Sequence, residues 1–96
     1  MRFLDASPDL PPLVRAAHDI DWEVIVDGYL TDAAAVRDVY AATLYLDHSR
    51  VIENGSTVVT PSVRAIAHKQ GFTLVRSRCG NDHYVIVSKL REALSA

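Results

Sequence analysis

The spacing of apolar residues changes several times along the chain, and each change predicts an element. Leu10, Leu13, Val14 and Ala17 recur at helical spacing and predict a short helix over 11–18. Pro11 and Pro12 suit its first turn, where the missing N–H would be unpaired anyway. Trp22, Val24 and Val26 alternate with Glu23, Ile25 and Asp27, the two-residue period of a strand, and Asp27-Gly28 reads as its closing turn. Val36, Val39, Tyr40, Thr43, Leu44 and Leu46 form a stripe that predicts the longest helix, over 32–46, with Thr31 as its cap. Asp32 and Asp38 suit the positive end of that helix, and Asp47-His48-Ser49 ends it. Asn54-Gly55 predicts a two-residue hairpin between 51–53 and 56–59.

Thr60-Pro61 has the form of a helix start, Val63, Ile66, Ala67 and Gln70 share one face, and Gly71 supplies the stop. Residues 72–78 and 83–88 read as strands around a turn at 79–82, with a terminal helical turn from Lys89 to Leu94. Residues 1–9 read as an extended lead. The expected fold is a single α+β domain over 1–96, with a mainly antiparallel sheet, two principal helices and a C-terminal helix–hairpin unit over 60–89.

Composition narrows the class. The chain has 96 residues, 49% hydrophobic and 23% charged, which excludes a disordered tail. Four Gly and four Pro exclude collagen-like or low-complexity sequence. No apolar run approaches the ~18–20 residues that cross a bilayer, so no membrane association is expected. The lead Met-Arg-Phe-Leu-Asp-Ala-Ser-Pro-Asp lacks the apolar core of a signal peptide. The lone Cys79 cannot form an intramolecular disulfide, and a cytoplasmic location is the expectation. Asn54-Gly55-Ser56 is read as a turn and not as a glycan acceptor.

The net charge of −2 conceals a division. Residues 1–47 carry nine acids and three bases, net −6, whereas 48–96 carry seven bases and three acids, net +4. Five of those seven bases, Arg64, Lys69, Arg76, Arg78 and Lys89, fall on the predicted helix–hairpin unit. That unit resembles the recognition helix and wing of a winged-helix domain. The resemblance implies that Arg64 and Lys69 face DNA from the helix while Arg76, Arg78 and Lys89 meet phosphates from the wing. The bland alternative is a helix and hairpin that merely pack together.

The run Gly71-Phe72-Thr73-Leu74-Val75-Arg76, the turn Gly80-Asn81-Asp82 and then His83 also resemble the start of a HicA-type toxin, a family of small ribonucleases with a double-stranded-RNA-binding-like fold. The resemblance spans about 15–20 residues, and Asp82 stands where the family's turn has Ser. It implies His83 as acid/base and Arg76 or Arg78 as phosphate ligand, a role suited to imidazole.

Other groupings read as turns. His18-Asp19-Ile20-Asp21 lacks the further ligands of a calcium loop, and Cys79 with His83 makes only half a zinc site. Arg78 and His83 are the candidate stabilisers of a Cys79 thiolate. The sequential Asp47-His48-Ser49 has triad residue types but not triad geometry. No metal or cofactor is expected. The leading expectation is a small non-enzymatic regulatory or adaptor protein, its size fitting a phage or mobile element, that binds nucleic acid through Arg64, Lys69, Arg76, Arg78 and Lys89. The alternatives are a protein-binding adaptor, on a host protein or as a homodimer, using the acidic half, or a small ribonuclease using His83.

Overall fold

Six strands in one mixed sheet dominate the described residues. The structure, a computed structural model, describes residues 10–90. One helix, α1 (Pro12–His18), precedes β1 (Gly28–Val36), β2 (Val39–Tyr45), β3 (Ser56–Val59), β4 (Val63–Lys69), β5 (Phe72–Ser77) and β6 (His83–Ile86). The strand order is β3-β2-β1-β6-β5-β4. Two antiparallel meanders, β1-β2-β3 and β4-β5-β6, are therefore joined at the centre by the parallel pairing of β1 with β6.

This architecture overturns the expected α+β fold with two principal helices. The segment read as the long helix is the β1–β2 hairpin, turned by Arg37 and Asp38 with Arg37 at φ 59°. Its Ala-rich run has high helix propensity, but pairing with β2 overrides that weak preference. The segment read as the second helix is β4. Thr60 does not cap a helix: its hydroxyl accepts the Tyr40 N–H and donates to the Pro61 carbonyl. Gln70 and Gly71, at φ 52° and 87°, form the two-residue loop that returns β4 as β5. The need for positive φ at Gly71 was legible, but it serves a hairpin rather than a helix end.

Residues 22–27 are a loop rather than a strand, interrupted by Glu23 at φ 65°. Asn54 and Gly55 deliver the chain into β3, which pairs with β2 and not with 51–53. Among the expected elements, α1 and the β5–β6 hairpin are observed close to their predicted positions. The extended lead and most of the terminal helical turn lie outside the described residues.

The sheet buries apolar side chains on both faces. On one, α1 and the following loop lay Val14, Ala17 and Trp22 over Tyr29, Phe72, Leu74, Val85 and Val87. The Trp22 indole N–H donates to the Ala17 carbonyl at 3.0 Å, so this large ring enters the core with its polar atom satisfied. On the other face Leu30, Ala33, Ala42, Leu44, Val63, Val75 and Ile86 pack together. Leu30 and Ala33 are three residues apart yet serve the same core. A bulge at Asp32, φ 50°, adds a residue to β1 and shifts the alternation by one.

The sheet is bent enough for its two halves to touch beyond the central pairing. The Val63 N–H donates to the Asp38 carbonyl, and the Ser62 hydroxyl donates to the Asp38 carboxylate. The edges are blunted: β3 has four residues, and β4 carries a bulge near Ile66 with Arg64, His68 and Lys69 along it.

Candidate functional site

Arg64 on β4 lies directly opposite Arg76 on β5, and Arg76 lies opposite His83 on β6. Directly opposed residues share a face of the sheet. Phe72 and Leu74 share a face of β5 with Arg76, as Val85 and Val87 share one with His83, so the row lies on the helix-covered face. At about 1.5 Å per residue, α1 is only some 10 Å long. Beyond the core that it covers, Arg64 and Arg76 are exposed and His83 is half-buried.

Asp27 finishes the row. Its N–H donates to the His83 carbonyl at 2.7 Å, and its carboxylate accepts the His83 N–H at 2.9 Å. Its own carbonyl accepts the His48 N–H at 2.9 Å. One residue at the start of β1 thus holds the backbones of two histidines that are far apart in sequence. His48, His83, Asp27 and Asn81, with Val24 and Ile25, line an open cleft of about 460 Å³. That volume falls in the roughly 300–1,000 Å³ range of ligand-holding clefts. His48 also borders a neighbouring hollow with His18, Trp22 and Tyr29, where His18 meets Tyr29 edge-on at 5.8 Å.

The loop that carries His48 is organised by Asp47. Its carboxylate accepts the Ser49 hydroxyl at 2.7 Å and the N–H groups of Val51 and Ile52 at 2.9 Å each. These bonds, the Ser49 hydroxyl foremost, hold its pKa below the usual carboxylate range. The segment Asp47-His48-Ser49 is therefore a hydrogen-bonded loop, neither a helix end nor a triad.

The five bases singled out in the sequence do not form one surface. Arg64 and Arg76 do come together. Arg78 is committed elsewhere: its Nε donates to the Asp38 carboxylate at 2.9 Å and ties the β5–β6 turn to the β1–β2 turn. Lys69 donates to the Asp21 carbonyl at 2.8 Å, lies 3.6 Å from the Glu23 carboxylate and sits 5.7 Å from the Trp22 ring centre. Lys89 bridges to Ala33, six residues beyond His83 and roughly 20 Å along the sheet. Both ion pairs among the described residues join the acidic half of the sequence to the basic half. Part of the charge division is thus paired within the fold.

With β4 in place of a helix, the winged-helix arrangement is absent. The helix that the HicA resemblance implies before Gly71 is absent too. What remains of that reading is a histidine opening a strand after a tight turn. In that turn the Ser77 hydroxyl accepts the Asp82 N–H and lies 3.3 Å from the Cys79 sulfur, and this contact is the main cause lowering the thiol pKa. Sequence reasoning missed His48 and Asp27 as site residues. No local signal marks them, because only the docking of β6 beside β1 brings His83 to them.

Among the described residues, no group of three or more His, Cys, Asp or Glu side chains is placed to hold a metal ion. No helix among them is long and apolar enough to cross a membrane. In comparisons with known proteins, the chain matches no family model, no curated protein and no solved structure.

Proposed function

We propose that this protein is a small regulatory or adaptor protein that binds a nucleic acid through its phosphate backbone, with Arg64 and Arg76 as the principal contacts. One observation carries the reading. Two arginines are directly paired across neighbouring strands, and among the described residues neither has a carboxylate partner. Like charges in that relation destabilise a sheet. A phosphate neutralises both, and the planar arginine fork suits its oxygens. The only polar contact of the Arg76 side chain among the described residues is a long one, 3.4 Å, to the Gly80 carbonyl.

The acidic half offers a partner less. Asp21, Glu23, Asp27, Asp38 and Asp47 are each engaged by groups of the protein itself. A partner that reads those five acids would have to displace contacts that hold the fold.

Fluorescence anisotropy with labelled single-stranded and duplex DNA and RNA over a salt series tests the reading. One phosphate shared by the two arginines gives a slope of log affinity against log salt of about −0.9 on duplex and about −0.7 on single strands. The Arg64→Ala/Arg76→Ala double variant loses binding, whereas Lys89→Ala keeps it. Absence of binding by the wild type, or full binding by the double variant, overturns the proposal.

A further inference from the structure

From the cleft beside the arginine row we infer a further activity, resting on the nucleic-acid reading above: metal-independent cleavage of RNA by His48 and His83. Both histidines line one cleft, and the loop and strand that carry them are anchored to the same residue, Asp27. His83 is next to Arg76 in the cross-strand row. A phosphate held by Arg64 and Arg76 therefore lies at the margin of the cleft that contains both histidines. Asn81 adds an amide to the same wall, and Val24 and Ile25 supply an apolar surface for the sugar and base.

This combination matches the needs of internal phosphoryl transfer. One imidazole takes the proton of the ribose 2′-hydroxyl, and the 2′-oxygen attacks the adjacent phosphorus. As that bond forms, the bond from phosphorus to the 5′-oxygen breaks. The other imidazole, protonated, gives its proton to the departing oxygen. The products are a 2′,3′-cyclic phosphate and a free 5′-hydroxyl, and the net protonation of the protein is unchanged. Arg76 faces the charge that builds on the phosphoryl oxygens. An imidazole can accept a proton on one ring nitrogen and donate one from the other, which suits both roles. No oxidant, metal or water is consumed in this step. The substrate must be RNA, because DNA lacks the attacking hydroxyl.

The test uses the whole protein with end-labelled RNA and DNA strands of one sequence, in the presence of EDTA, with anisotropy measured in parallel. The expected result is RNA fragments ending in 2′,3′-cyclic phosphate, with the DNA intact. His48→Gln and His83→Gln each slow cleavage by about 100-fold or more while binding stays within a few-fold. Circular dichroism confirms that each variant is folded. RNA that is bound but left uncut overturns the cleavage and leaves the binding proposal standing. Cleavage that survives in both variants, or that EDTA abolishes, also overturns it. RNA neither bound nor cut overturns both.

Discussion

Arg64 and Arg76 are directly paired across neighbouring strands, and among the described residues neither meets a carboxylate. Such a pair costs stability, by about 0.2–1 kcal/mol relative to a neutral pair. A single reversal of charge should therefore separate stability from function. Arg64→Glu converts the repulsion into an attraction, raises the melting temperature by a few degrees and abolishes nucleic-acid binding. A thermal melt beside an anisotropy titration checks both halves, and a less stable Arg64→Glu protein would show that the pair is not a source of strain.

Gly28, which opens β1, has no room for a side chain. A Cβ there would collide with the Leu44 side chain, which packs over the glycine from β2. Overpacking of this kind costs about 1–3 kcal/mol. Gly28→Ala should lower the melting temperature by at least about 4 °C. In a Leu44→Ala background the same change should cost clearly less, because the obstructing atoms are gone. Equal costs in the two backgrounds would rule out the collision as the cause.

The Arg78–Asp38 pair links two turns and makes the acid limb of stability predictable. The Arg78 hydrogen bond, with help from the Ser62 hydroxyl, holds the Asp38 carboxyl below the usual carboxylate range. A lowered acid stabilises the folded state fully above its unfolded pKa near about 4. That contribution disappears as pH falls through the lowered value. Asp38→Asn should therefore show a flatter loss of stability below that pH than wild type, measured by urea unfolding at successive pH values. Parallel acid limbs would contradict the assignment.

Asp47 should govern the loop that presents His48. In Asp47→Ala, three donors within residues 49–52 lose their acceptor. Amide exchange at Val51 and Ile52 should rise by at least tenfold while exchange in the central strands is unchanged. Uniform exchange changes across the sheet would show a global effect instead.

Trp22 is the single tryptophan and is 5% exposed. Trp22→Ala should cost about 3–5 kcal/mol, a large part of the total expected for a domain of this size. In wild type, its fluorescence and the far-ultraviolet circular dichroism should change at one temperature. An earlier fluorescence transition would mean that α1 and its loop leave the sheet before the sheet melts.

What could be read from the sequence was mostly local. The β5–β6 hairpin was legible because Tyr84-Val85-Ile86-Val87 is rich in strand formers and a polar turn precedes it. The first helix was legible from its apolar spacing. The β1–β2 hairpin was not, because its turn uses Arg37 at positive φ, with no glycine or asparagine as a marker. The bulge at Asp32 also broke the alternation that would have exposed a strand. At the site, Arg64, Arg76 and His83 could be singled out by residue type, but on a helix and wing. Their common row depends on β4 being a strand. Asp27 and His48 owe their place to contacts over long sequence distances, for which spacing carries no trace.

The parallel pairing at the centre of the sheet has a consequence for biosynthesis. Asp27 and His83, joined at that seam, are 56 positions apart. At roughly 5–20 residues per second, β1 leaves the ribosome about 3–11 s before the strand that pairs with its inner edge. Through that interval the middle of the future sheet is a bare edge, able to pair with another nascent chain. A chaperone that shields this edge, or slower growth of the chain at low temperature, would alter the yield of folded protein without altering its final stability.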